Sequence, residues 1–122
     1  MRNAAQTYGK VAKETATPRE LEATLLLRAA ARLQSISDAW ERKSHELDDA
    51  LVFNRKLWTI FLTSVTREDN KLPNEVRQNI ANLGMFVLNH TIATTTDRRP
   101  ERLGSLISIN RELAAGLLSR AA

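Results

Sequence analysis

Apolar residues recur every three or four positions in four separate stretches of this chain. Because an α-helix turns once in 3.6 residues, this spacing puts the apolar side chains of each stretch on one side of a helix. The stretches are marked by Leu21, Leu25, Ala29, Leu33, Ile36 and Trp40; by Leu47, Leu51, Trp58, Phe61 and Val65; by Val76, Ile80, Leu83 and Val87; and by Leu103, Leu106, Ile107, Leu113, Ala114 and Leu117. The pattern predicts an all-α fold, a single-domain bundle of about four principal helices.

Three of the four helices have a recognisable start. Thr17 precedes Pro18, and Glu20 stands three residues after Thr17, which is the pattern of a capping box with proline at the first helical position. Pro73 and Pro100 mark the starts of the third and fourth helices, because proline is favoured in the first turn of a helix.

The second helix carries another apolar seam beside its first one. This second seam consists of Ala50, Phe53, Leu57 and Ile60. The two seams together cover more than half of the helix circumference, which predicts a central helix with neighbours on several sides. Its junction with the first helix has two candidate positions, residues 35–38 and residues 44–49, and the sequence does not choose between them.

The third helix also has a second apolar stripe, which points about 100° to 160° away from its core stripe. The stripe comprises Ala81, Met85, Leu88 and Ile92, with Phe86 to its side and Gly84 close by. A single contact between two helices cannot bury both stripes. The second stripe is therefore core against another helix, a groove for a partner, or a surface for self-association.

Length and composition agree with one helical domain. The chain has 122 residues, and its four Gly and three Pro leave few places for the turns that a sheet would need. Residues 1–16 are small and polar apart from Tyr8 and Val11. We expect a loosely ordered N-terminal arm over residues 1–16 and a helical domain over residues 17–122.

Several protein classes are excluded by what the sequence lacks. The chain contains no Cys, which excludes disulfide scaffolds, zinc ribbons and thiol chemistry. It has no uncharged apolar run of about 18 residues and no apolar run near its first residues, so we expect neither a membrane span nor a signal peptide. The expected location is the cytoplasm.

The residues offer little chemistry for catalysis. His45, with Asp48 and Asp49 nearby, is the closest approach to a metal-binding cluster, but acidic residues in the first turn of a helix are favoured for other reasons. His90 stands at the edge of a core stripe and has no second ligand at metal spacing. We expect no metal, no cofactor and no enzyme activity.

Arg98, Arg99 and Arg102 form the densest basic cluster, in a chain with a net charge of +4. Such a cluster is able to contact RNA phosphates, but no aromatic residue for stacking bases lies close in sequence. A solvated loop between helices is the favoured interpretation, and RNA binding stays an alternative.

Asn54 and Asn110 each interrupt an apolar seam. A buried amide needs hydrogen-bond partners, so the pattern predicts a polar contact between the second and fourth helices that fixes their register. The functional alternative is that these amides bind the backbone of a partner.

Blocks of residues spread along the chain resemble the FlaF family of small flagellar regulators in alphaproteobacteria. The blocks are Pro18–Ala23 with Leu26 and Ala29–Leu33; Asn54–Trp58 with Phe61; Asp69-Asn70 and Leu72-Pro73; Arg77–Ile80, Asn82–Gly84 and Phe86-Val87; and Ile109–Arg111 with Gly116-Leu117. The similarity runs from the region of Tyr8 to Leu117 and keeps the order and spacing of the blocks.

The resemblance implies a cytoplasmic factor for flagellin production and export that binds flagellin as a secretion chaperone and works beside an FlbT-like regulator. It implies no catalytic residue. A small helical protein with a spare apolar stripe is suited to bind an amphipathic helix in a groove. Ala81, Met85, Phe86, Leu88 and Ile92 are the candidate partner-binding residues, and homodimerisation through the same stripe stays open.

Overall fold

The computed structural model describes residues 17–121, and these residues form four long helices. The helices are α1 (Pro18–Asp38), α2 (Leu47–Val65), α3 (Asn74–Thr96) and α4 (Leu103–Ala121). Between residues 17 and 121 there is no β-strand, so the predicted all-α class is confirmed. The predicted arm over residues 1–16 lies outside the described residues.

The start of α1 has the predicted capping box. The Thr17 hydroxyl accepts the backbone N–H of Glu20 at 3.1 Å, and the Glu20 carboxylate accepts the backbone N–H of Thr17 at 2.9 Å. Both bonds satisfy N–H groups that have no partner within the helix. Pro18 occupies the first turn, where its missing N–H costs nothing.

The junction between α1 and α2 bends twice, at Ala39, directly after the first of the two candidate stretches, and at Ser44–Glu46, inside the second. Ala39 leaves helical geometry, with φ −125° and ψ 43°, and ends α1. One further helical turn, Trp40–Lys43, is followed by a 3₁₀ turn, Ser44–Glu46, which leads into α2. Residues 35–38 are still helical, so of the two candidate stretches only residues 44–49 contain a bend.

The loop between α2 and α3 is fixed by hydrogen bonds to the carboxyl end of α2. Arg77 donates from Nε to the carbonyl of Val65 and from Nη2 to the carbonyl of Arg67, each at 2.8 Å. Asn70 donates to the carbonyl of Ser64 at 3.1 Å and accepts the N–H of Leu72 at 3.0 Å. These bonds satisfy carbonyls at a helix end, where no residue of the helix itself is available.

The core is divided between two helix pairs. α1 packs most extensively against α4, α2 packs most extensively against α3, and α1 also contacts α2, whereas α3 and α4 meet only sparsely. The fully buried side chains with the largest volumes include Trp58, Leu26, Leu33, Ile36, Leu47, Leu103, Leu106 and Leu117. The apolar stripes predicted for α2 and α4 supply most of this core.

Three departures from the predicted core follow from where the helices meet. Ile60, which belongs to the second seam of α2, is 66% exposed, and Leu83 of α3 is 36% exposed. In α1, Ala23, Leu26 and Ala30 are buried although they lie beside the predicted stripe. Because α1 has both α4 and α2 as neighbours, it buries a wider face than a single stripe.

Candidate partner-binding surface

The second stripe of α3 lies largely at the surface of the bundle. Ile92 is 66% exposed and Met85 is 56% exposed, whereas Ala81 and Leu88 are half-buried. No helix within the described residues covers Met85 or Ile92. The interpretation of these two side chains as core is therefore wrong, and the stripe is a surface with a half-buried inner edge.

Val52 of α2 extends this surface, which the sequence did not indicate. Its side chain is 39% exposed and lines, together with Ile92, a shallow groove of about 290 Å³ between α2 and α3. Leu51 and Thr91 form the inner part of the groove, and Asp48 and Arg55 are among the residues around it. We call Met85, Ile92 and Val52 the α2/α3 apolar surface.

Phe86 does not belong to the α2/α3 apolar surface. Its ring stacks on the ring of His90, with 5.2 Å between centroids and 17° between planes. His90 Nε2 lies 2.7 Å from the carbonyl of Arg102 and 3.2 Å from the Ser105 hydroxyl, at the start of α4. Phe86, 44% exposed, is thus on the flank of α3 that faces α4.

Gly84 permits a packing contact within the protein rather than a contact with a partner. A Cβ atom built on Gly84 would lie 2.5 Å from Cδ2 of Leu62 and 2.8 Å from its Cγ. Gly84 is buried, and its missing side chain lets Leu62 of α2 rest directly on α3. The close approach at this position is therefore made by a side chain of α2.

Exposed apolar side chains are concentrated on α3. Eight large apolar residues among the described ones are exposed, and four of them belong to α3: Leu83, Met85, Phe86 and Ile92. Single exposed apolar residues are common on protein surfaces, but here Met85 and Ile92 lie together on one flank of α3 and Leu83 and Phe86 on another, and such pairs indicate contact surfaces.

Asn54 and Asn110 lie completely inside the bundle and bind each other. Asn110 donates from Nδ2 to Oδ1 of Asn54 at 2.7 Å, and its own Oδ1 accepts the indole N–H of Trp58 at 2.9 Å. Within the described residues Asn54 Nδ2 has no acceptor. The chain Trp58–Asn110–Asn54 therefore links α2 to α4, and neither amide is accessible to a partner's backbone.

The three arginines of the basic cluster are each bound to a carboxylate. Arg98 contacts Asp48 at 2.6 Å, while Arg99 and Arg102 both contact Asp97, at 2.8 Å and 2.7 Å. Two carboxylates thus balance most of the positive charge of the cluster. The contact between Arg98 and Asp48 was not foreseen because the two residues are 50 positions apart in the chain.

The hydrogen bonds from Arg102, and then from Arg99, hold the pKa of the Asp97 carboxyl below its usual value. A lowered pKa means that the ionised form stabilises the fold at neutral pH. This contribution is lost as the pH falls from the usual value of about 3.9 through the lower folded value.

We therefore expect Arg102→Gln to raise the pKa of Asp97, measured by NMR titration of its carboxyl carbon. Arg98→Gln is the control, because Arg98 binds Asp48 and should leave the Asp97 titration unchanged. An Asp97 titration that is the same in wild type and Arg102→Gln would contradict the assignment.

The metal-like cluster does not assemble in the structure. His45 and Asp49 are exposed, and Asp48 is engaged by Arg98. In the described part of the chain, no group of three or more His, Cys, Asp or Glu residues is arranged to hold a metal ion. Nor is any helix between residues 17 and 121 long and apolar enough to cross a bilayer.

The fold and the surface together define a small all-helical protein with an exposed apolar helix. The sequence profile of the family described as flagellar protein FlaF matches residues 4–117. The chain belongs to this family, and it is therefore a flagellar protein. No match to the chain was found among curated proteins or among solved structures.

Proposed function

We propose that this flagellar protein binds flagellin in the cytoplasm as a secretion chaperone and supports flagellin synthesis and export. Membership in a flagellar family supports flagellin as the partner. We propose an FlbT-like regulator as a second partner, on the ground of the resemblance alone. The observation that carries the proposal is the exposure of Met85, Ile92 and Val52 on the α2/α3 apolar surface, which is the proposed binding site.

The chemistry of this surface suits an amphipathic helix. Met85 is unbranched and adapts its shape to a partner, while Ile92 and Val52 line a groove whose volume of about 290 Å³ suits single apolar side chains. A flagellin subunit has to be kept from polymerising before export, and covering an amphipathic terminal segment achieves this.

The ion pairs of the basic cluster favour flagellin binding over RNA binding. RNA binding needs basic side chains that are available to phosphates, whereas Arg98, Arg99 and Arg102 are engaged by Asp48 and Asp97. Homodimerisation through the α2/α3 apolar surface is a further outcome that the experiments below distinguish.

Flagellin binding should depend only weakly on salt, because apolar contact supplies most of its energy. We expect the Kd for purified flagellin, measured by isothermal titration calorimetry, to change by less than about threefold between about 50 and about 200 mM salt. A protein that contacts six to ten phosphates loses about 10³- to 10⁵-fold over the same range.

The flagellin transcript, tested in the same titration, is the matched comparison. Tight binding of the transcript with a steep loss of affinity in salt would contradict the chaperone proposal and favour the RNA alternative.

A further inference from the structure

A second concave site lies between α3 and α4, on the flank of α3 away from the α2/α3 apolar surface. The two helices follow each other in the chain but meet only sparsely, and a cleft of about 240 Å³ separates them. Its walls are mainly apolar, with Ile80 and Leu83 from α3 and Ile109 and Leu113 from α4. We call it the α3/α4 cleft.

The size and setting of the cleft favour a protein partner. Small-molecule sites usually have volumes of about 300–1,000 Å³, so this cleft is small for one and suits a few apolar side chains. Leu83 lines the cleft and is 36% exposed, and Phe86, one turn further along α3 on the same flank, is 44% exposed. Apolar surface therefore continues from the cleft along α3. A partner helix bound in the cleft would need such apolar contacts along its length.

Gly116 contributes no side chain to the α4 wall of the cleft. It lies inside α4, where glycine is less favourable than alanine, and it does not have a positive φ that would require glycine. A Cβ atom at Gly116 would meet no other atom within 4 Å. Neither backbone conformation nor packing within the described chain explains this glycine, but it permits close approach by another backbone.

The charge at the edge of the cleft indicates which charge a bound helix should carry. Glu112 is the one charged residue among those that line it, in a chain whose net charge is +4. An apolar cleft edged by a carboxylate complements a helix that has a Lys or Arg beside its apolar stripe.

We infer that the α3/α4 cleft receives an amphipathic helix of flagellin, with a basic residue of that helix against Glu112 and its backbone passing close to Gly116. The inference rests on the proposed function and extends it. The cleft and the α2/α3 apolar surface lie on opposite flanks of α3, so the inference assigns them two different segments of flagellin.

Filling the cleft tests this inference, with purified flagellin as the probe and calorimetry as the measurement. Gly116→Leu should weaken flagellin binding at least tenfold, while the melting temperature stays equal or rises. Gly104→Leu is the matched control: Gly104 is also in α4 and has no atom within 4 Å of an added Cβ, but it does not line the cleft. It should bind flagellin like the wild type.

A charge reversal provides a second test that leaves the interior of the bundle untouched. Glu112→Lys should weaken binding severalfold, whereas Glu41→Lys, an exposed reversal outside α4, should not change it. This pair keeps the inference testable if Gly116→Leu folds poorly.

The possible results distinguish a failure of the cleft inference from a failure of the chaperone proposal. If Met85→Asp abolishes flagellin binding but Gly116→Leu and Glu112→Lys bind like the wild type, the cleft inference is wrong and the chaperone proposal stands. If wild-type protein binds no flagellin, both fail. A wild-type dimer that Gly116→Leu converts to a monomer with unchanged flagellin affinity would assign the cleft to self-association and overturn the inference.

Discussion

Met85→Asp should abolish flagellin binding and leave the free energy of unfolding nearly unchanged. Met85 is 56% exposed, so a carboxylate at this position stays in water in the free protein. Exposed substitutions usually shift stability by less than about 0.5 kcal/mol. In the complex the same carboxylate would be buried against an apolar helix without a partner, which costs several kcal/mol and removes measurable binding.

Two further variants make this experiment specific. Ile92→Asp changes another exposed residue of the α2/α3 apolar surface and should have the same effect. Leu27→Asp is the matched control, because Leu27 is 42% exposed but lies on α1, remote from this surface in the chain. Binding is measured by calorimetry with purified flagellin, and stability by urea titration.

Different results would reassign the surface. A loss of several kcal/mol in stability on Met85→Asp would show that the side chain is packed, contrary to its exposure here. A wild-type dimer that becomes a folded monomer on Met85→Asp, with flagellin binding retained, would make the surface a homodimer interface.

Asn110→Ala should destabilise the protein more than Asn54→Ala. Asn110 makes two buried hydrogen bonds, to Trp58 and to Asn54, so its removal strands the indole N–H and the amide oxygen of Asn54. Each stranded buried group costs about 1–3 kcal/mol, so the loss for two groups should be roughly 2–6 kcal/mol. Asn54→Ala strands only the Nδ2 group of Asn110 and should cost about 1–3 kcal/mol.

Urea unfolding of both variants measures this difference. Asn89→Ala is the control, because Asn89 is exposed in the middle of α3 and its loss should change stability by less than about 0.5 kcal/mol. Equal losses for Asn54→Ala and Asn110→Ala, or a loss below about 0.5 kcal/mol for either, would contradict the buried hydrogen-bond chain.

Local signals in the sequence predicted the helices well because their causes are local. The capping box at Thr17 needs only residues within one helical turn, and the seam from Leu47 to Val65 needs only the helical period. The amides of Asn54 and Asn110 were also informative, since a polar group in an apolar seam requires a partner.

Features that depend on how helices meet were not predictable in the same way. The sequence pattern predicts that an apolar residue such as Ile60 is core, whereas it is exposed because no helix within residues 17–121 packs on that side of α2. Conversely, Ala23 and Ala30 carry no strong pattern, yet they are buried where α1 meets its neighbours. The pairing of Arg98 with Asp48 joins distant parts of the chain, and spacing along the sequence contains no sign of it.

The extensive packing of α1 against α4 has a consequence for how the protein is made. Of the four helices, α1 is synthesised first, but its main packing partner is the last of them. The apolar face with Leu26 and Leu33 therefore has no α4 to pack against until the other three helices have been synthesised. Closing such a distant contact slows folding relative to pairing of neighbouring helices, such as α2 with α3. A nascent chain halted before α4 therefore exposes core surface and is a target for proteases, whereas the α2–α3 hairpin is able to form early.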